Sequence, residues 1–188
     1  MIESGGAMST YKFLANGARG PISGFAWPRP TNDAPGSWVE ADGALGLCAN
    51  GSHLSRAQDL AHWLHDELWE TEAAGEQLEG LDCLVVRRAR LVRRIDAWHL
   101  GGSARFAEAC AQHARELVDR APPGPARDEL EGLLGDAFSS ARGGYIAVGA
   151  YASALAVARL RDPSDQHDAY RRERAWQSEW IARVVIGA

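Results

Sequence analysis

The sequence predicts an α+β chain: a small Trp-rich β domain with one short helix, followed by an antiparallel four-helix bundle. Three observations predict it. Residues 9 to 100 hold short apolar runs broken by Gly and Pro, together with five of the seven tryptophans. Residues 103 to 186 place apolar residues at helical spacing almost throughout. Between them, "HLGGS" at 99 to 103 reads as a joint. A chain of 188 residues buries enough surface to fold without staples. Residues 1 to 8 are expected to be a disordered extension, with Met8 a second candidate start.

The β part opens with "TYKFL", a strand by its aromatic and apolar content. The next stretch, to about residue 36, is dense in Gly, Pro and Asn and reads as a long loop. A short strand near Phe25 to Trp27 is expected within it, and Ile22, Phe25 and Trp27 are expected to pack it down. Two strands follow around a turn at Asp42-Gly43, then a tight turn at Asn50-Gly51. Ser55 reads as the N-cap of a helix over 56 to 66, with Ala57, Leu60, Ala61 and Leu64 on one face. "ELWETEAAG" alternates as a half-buried strand. Residues 83 to 98 fit either strand or helix, and their Val and Ile content favours strand.

The helical part reads more simply. Ser103 caps a helix with the stripe Phe106, Cys110, His113 and Leu117, ended by "PPGP" at 122 to 125. Leu130, Leu133, Leu134, Ala137, Phe138 and Ala141 mark the second helix. "YIAVGAYASALAVARL" is small and apolar on every face, as in a helix buried amid others. Ser164 or Asp165 starts the fourth, with the stripe Trp176, Trp180, Ile181 and Val184. Short loops between four helices predict an antiparallel bundle.

Composition excludes several function classes. Net charge is -5, divided as -4 before residue 101 and -1 after it, so neither part has the basic excess that nucleic acid requires. No apolar run is long enough to span a membrane, and the N-terminus lacks the pattern of a signal peptide. Cys48, Cys83 and Cys110 are odd in number and widely spaced, which fits free thiols in a reducing, cytoplasmic setting. One lysine, Lys12, stands against nineteen arginines, a bias read as that of a GC-rich genome. The phosphate-loop, dinucleotide and nucleophile-elbow motifs are all missing.

Several constellations carry chemistry, each beside a plainer reading. His62 and His65, three apart, would share a helix face and could bind a divalent metal, with Asp66, Cys48 or His53 as third ligand. The plainer reading is two half-exposed surface histidines. Cys48 and His53, five apart across a turn, could pair as nucleophile and base, but Cys48 reads more simply as core. His53, after a turn and before a helix, is the candidate catalytic residue, a donor or general acid/base. Trp27, Trp38, Trp63, Trp69 and Trp98 could form an aromatic wall for a ligand or serve as bulk core. "RRARLVRR" reads as cross-strand partners for Glu70 and Glu72. The hydroxyls of Tyr145, Tyr151 and Ser153, on an apolar helix, need partners and could line a pocket.

"YKFL", "GPISGFAWP", the Trp-Val-Glu of residues 38 to 40, "LCANGSH", "DLAHWL", "ELWETE" and Gly75 together resemble an uncharacterised bacterial family over residues 11 to 98. The chain is also more loosely similar to a phage-associated family of unknown function. In the resembling family the turn reads C-x-x-G-x-H-A-C. Cys48, Gly51 and His53 match it, while Leu54 and Ser55 replace the Ala-Cys pair. If that family uses both cysteines and the histidine for metal, this chain lacks one ligand. The resemblance implies no activity. A strand-turn-helix-strand with His after a Gly turn also resembles part of an ADP-ribosyltransferase-like fold, by analogy alone.

The leading functional expectation is a small-molecule-binding protein, with a cofactor-independent cyclase, isomerase or hydrolase as its catalytic form. Its aromatic pocket is expected between the β-rich and helical parts, with His53 acting and Tyr11, Arg19, Trp27, Trp38, Trp98, Tyr145 and Tyr151 binding. The alternatives are a non-catalytic interaction module or homodimer, the metal site at His62 and His65, and an ADP-ribosyltransferase-like domain. No nucleic-acid or membrane partner is expected.

Overall fold

The computed structural model describes residues 9 to 187, apart from the side chains at 125 and 126; the expected extension at 1 to 8 lies outside them. The chain is α+β and divides into two units between Asp96 and Ala97.

The first unit is an antiparallel sheet built on one long hairpin. β1 (Thr10–Leu14), β2 (Val39–Glu40), β3 (Ser52–Leu54), β4 (Glu67–Glu79) and β5 (Leu84–Arg94) make its strands. β4 pairs with β5 through a tight turn in which Gly80 N–H donates to the Cys83 carbonyl at 2.8 Å. Residues 83 to 98 are thus strand as far as Arg94, and the β-branched content decided it. The ladder shifts register between Glu70 and Thr71 and between Ala74 and Gln77, with Gly75 at φ +81° in the second irregularity. β1 pairs with β4, while β3 and β2 share the far edge of β5.

The ladder then returns on itself. Tyr11 and Ser55 exchange backbone hydrogen bonds of 2.8 and 2.7 Å, linking β1 to the end of β3. The circuit β1-β4-β5-β3 closes, and the edge that β1 would otherwise expose is covered. Register assigns the faces. Thr10, Lys12 and Leu14 oppose Thr71, Trp69 and Glu67, while Leu54 opposes Leu84 and Ser52 opposes Val86. This face makes the core of Leu14, Ala18, Trp27, Leu54, Trp69, Leu84, Val86, Ala89 and Leu91. The other face carries the cross-strand ion pairs Glu70–Arg93 at 2.6 Å and Glu72–Arg90 at 2.5 Å, so the basic run finds its partners within the sheet.

Three expectations here need correction. The segment after Ser55 is a 3-10 helix, Ala57–Trp63, and Ser55 is no cap because the bridge to Tyr11 engages its backbone. Asp42-Gly43 turns the chain, but only Val39–Glu40 on one side is regular strand. In the long loop Trp27 packs into the core at 7% exposure, whereas Ile22 is 95% and Phe25 46% exposed. Phe25 merely sets its ring edge-on to Trp27, 5.9 Å between centroids.

The second unit holds α1 (Ser103–Val118), α2 (Pro125–Arg142), α3 (Ile146–Arg159) and α4 (Gln166–Ile181). Ser103 lies inside α1 and does not cap it. An irregular turn, Trp98–Gly102, leads into the helix, broken at Leu100 and at Gly101 with φ +97°. A Cβ on Gly102 would meet the Ala97 carbonyl oxygen at 2.2 Å, so this entry requires glycine. Pro125 opens α2 at a position where no backbone N–H is needed. α3 lies against α1, α2 and α4. Its Ala, Gly and Ser face is buried, but Tyr145, Val148 and Tyr151 form an exposed edge, so it is not enclosed on every side. The buried face of α4 is also more polar than its aromatic pattern implied: Glu173, Arg174, Gln177 and Ser178 are buried, while Trp176 and Trp180 are half-buried. Among the described residues no helix is long and apolar enough to cross a membrane.

Candidate functional site

Strand alternation puts Lys12 on the core face of β1, beside Leu14 and across from Trp69. Its Nζ donates to the His53 carbonyl at 2.6 Å and stands 5.0 Å from the centre of the Trp27 ring. Among the described residues no carboxylate pairs with it; burial pushes the amine down to about 8. The residue still keeps partial exposure. One carbonyl and one aromatic face leave an ammonium with donors to spare in packed surroundings.

His53 comes to this place through its backbone. Its ring Nε2 accepts the Cys48 N–H at 3.0 Å, and Nδ1 lies 3.2 Å from the Gly51 carbonyl. The proton therefore resides on Nδ1, and both nitrogens are engaged with the turn. Burial, aided by the Lys12 charge, holds the imidazole below its ordinary pKa despite the Gly51 bond. A neutral imidazole so tied shapes residues 48 to 53. Asn50 completes the turn, its side-chain amide donating to the Asp42 and Ala44 carbonyls at 2.6 and 2.8 Å. Cys48 sits at the tip, exposed and at φ +57°, and is not the core thiol that the sequence implied. Cys83 and Cys110 are buried, and burial raises both thiols.

The same face of the sheet carries a second charged group. Glu67 is 6% exposed and accepts the N–H groups of Gly17 and Ala18, each at 3.0 Å, and the Trp69 indole N–H at 2.9 Å. Burial alone would raise its pKa; these three donors and the charge of Arg94 overcome that and hold it below the usual carboxylate value. Asp66 accepts the neighbouring Asn16 N–H at 3.1 Å. Successive amides of residues 16 to 18, with Gly17 at φ +84° and Ala18 at φ +55°, make a small anion-binding concavity that the chain fills with its own carboxylates. The Trp27 N–H donates to the Ala18 carbonyl at 2.9 Å, which fixes the indole above Lys12.

Of the residues expected to form the site, Trp27 and His53 meet at Lys12. Tyr11 is buried on the opposite face of β1, its hydroxyl pKa raised by burial and by Glu70. Arg19 is exposed and donates to the Gly24 carbonyl at 3.3 Å. Trp38 lies beneath two guanidiniums, Arg88 at 4.9 Å and Arg90 at 4.6 Å. Trp98, in the helical unit, is sealed at 0% exposure and packs on Phe106. Tyr145 and Tyr151 are 68% and 52% exposed, and Ser153 alone of that trio is buried, donating to the Gly149 carbonyl at 2.8 Å.

The helix expected to carry both His62 and His65 does not span them, because the 3-10 helix ends at Trp63 and Leu64 is extended at ψ 130°. His62 lies 3.9 Å from Asp82, and His65 lies 3.3 Å from Asp66. Among the described residues, no three His, Cys, Asp or Glu side chains gather to hold a metal ion.

Sequence reasoning missed two groups. Lys12 was passed over, although a sole lysine at a core-facing position of a strand was a readable signal. The helical unit also buries a polar network. His113 Nδ1 is 3.1 Å from Glu173, Arg174 donates to Gln177 at 2.8 Å, and Gln177 donates to the Ala150 carbonyl at 3.0 Å. His113 stacks on Trp176 at 3.9 Å. Its partners lie some 60 residues away, and no local pattern announces them.

Compared with known proteins, the chain matches no family model, no curated protein and no solved structure.

Proposed function

We propose that the protein binds a small molecule in its β unit, with the Lys12 amine as the polar group and the Trp27 indole as the apolar wall. One observation carries this reading: an amine in packed surroundings, on the core face, with a single hydrogen-bond acceptor and no carboxylate partner among the described residues. An ammonium left with unused donors among apolar groups is costly unless another partner completes it. A ligand oxygen set against Trp27 would supply the missing acceptor. His53 contributes its carbonyl to this site and uses its ring to shape the adjoining turn. The helical unit, read as an antiparallel four-helix bundle, is not required for this chemistry.

The sequence itself offers a clean test. Lysine labelled with carbon-13 at Cε gives one signal, because Lys12 is the only lysine. Benzyl alcohol, a neutral aromatic compound with one oxygen, is titrated into the labelled full chain. A saturable shift of the Lys12 signal, lost in Trp27→Ala with the fold retained, supports the reading. A signal that stays fixed up to the solubility limit of the probe overturns it.

A further inference from the structure

We propose that Lys12 is a nucleophilic amine that captures uncharged aldehydes or ketones as a Schiff base. The inference rests on the binding reading above and deepens it by naming the ligand class and the bond formed.

Geometry supports the nucleophile. The His53 carbonyl holds one N–H of the amine at 2.6 Å, so in the neutral form the lone pair points away from that oxygen. Trp27 flanks the amine at 5.0 Å and offers an apolar surface for the body of a carbonyl compound. Lys12 as a whole residue is half-buried. Packed surroundings without a carboxylate partner favour the neutral amine, which is how lysine is activated in proteins.

Charge selects the class. The same face of the sheet carries Glu67, kept ionised by its three donors and by Arg94. Schiff-base formation through the unprotonated imine removes the Lys12 charge, so a carboxylate-bearing ligand would add an unpaired anion to a face that already carries Glu67. An uncharged carbonyl compound meets no such repulsion.

The step balances. The Nζ lone pair adds to the carbonyl carbon, and the C=O π pair moves to oxygen, which takes a proton to give a carbinolamine. The nitrogen loses one proton at this stage; the hydroxyl then takes a second proton and leaves as water while C=N forms, and the nitrogen releases its remaining proton, so the two protons gained by oxygen equal the two given up by nitrogen. Amine plus aldehyde gives imine plus water, with no change of oxidation state.

The test treats the full chain at pH 8 with benzaldehyde and sodium cyanoborohydride, which reduces the imine to a stable secondary amine. Peptide mapping by mass spectrometry then locates the benzyl group. The expected result is one benzyl group on Lys12, formed at that pH at least about tenfold faster in the native protein than in denaturant, as activation of the amine by its folded surroundings requires. Lys12→Arg, which keeps the charge and removes the nucleophile, leaves only slow labelling of the N-terminal amine. Labelling confined to the N-terminus, or equally fast at Lys12 in native and unfolded chains, overturns the inference. If benzyl alcohol shifts the Lys12 signal while benzaldehyde leaves no adduct, the inference falls and the binding reading stands. If neither probe registers, both fall.

Discussion

The carboxylate of Glu67 and the indole of Trp69, two residues apart on one face of β4, are joined by a 2.9 Å hydrogen bond inside the first unit. The same carboxylate holds the amides of Gly17 and Ala18, so one side chain ties the central strand to the loop that carries Trp27.

Replacing Glu67 should therefore loosen that loop. The Gly17, Ala18 and Trp69 partners of the carboxylate are all donors, so Glu67→Gln would set an amide NH2 against N–H groups. The expected loss is on the order of 2 kcal/mol at pH 7, measured by urea denaturation. The folded pKa is depressed, so the stabilisation is present above the unfolded value and fades as pH falls through the folded one. The wild type should lose stability in acid over that window, and Glu67→Gln should lose less.

For Lys12 it is the charged form that burial disfavours. Its folded pKa, about 8, lies below the ordinary lysine value of 10.5. Between those two values the unfolded chain binds the extra proton, so stability should rise with pH across that window. The full shift corresponds to roughly 3 kcal/mol, an upper figure for a partly exposed residue. Lys12→Met should abolish this rise. A native Lys12 signal in carbon-13 NMR that titrates near 10.5 would contradict the account.

Glu173 makes the helical unit sensitive to pH. Burial raises its pKa even though His113, Gln177 and Arg174 pull it down. Stability from the protonated acid is full below the unfolded value and is lost as pH rises through the folded one. Glu173→Gln should flatten the stability profile above the ordinary carboxylate range, as read by thermal melts of the full chain at stepped pH.

The three cysteines should separate cleanly. Cys48 is exposed, whereas Cys83 and Cys110 are buried with raised pKa values. A chromogenic disulfide reagent should modify one thiol quickly in the native protein and all three after unfolding. Fast reaction at Cys83 or Cys110 would show that the packing around them opens.

Much of the chain was legible before any coordinates. The aromatic and apolar content of "TYKFL", the alternation of "ELWETEAAG" and the apolar stripes of α1 and α2 are local patterns, and each element formed close to where its pattern lies. Cross-strand pairing of Glu70 and Glu72 with the arginine run was legible too, because β4 and β5 are joined by a short turn. The site was much less so. Two of its residues, Trp27 and His53, were singled out, but for their side-chain chemistry, and His53 takes part through its carbonyl.

By itself the sequence determined the α+β class, the place where strands yield to helices, and the absence of a basic excess, since each depends only on composition and local period. Tertiary structure alone decided three things. The Tyr11–Ser55 bridge closed the ladder, converting a would-be helix cap into a strand partner. Closure and register placed the one lysine on the core face, beside Trp27 and beneath the His53 carbonyl. The folding of α4 against α1 brought Glu173 to His113 across 60 positions. The physical reason is common to all three: desolvation and hydrogen-bond satisfaction depend on what lies nearby in space, and those neighbours are distant along the chain.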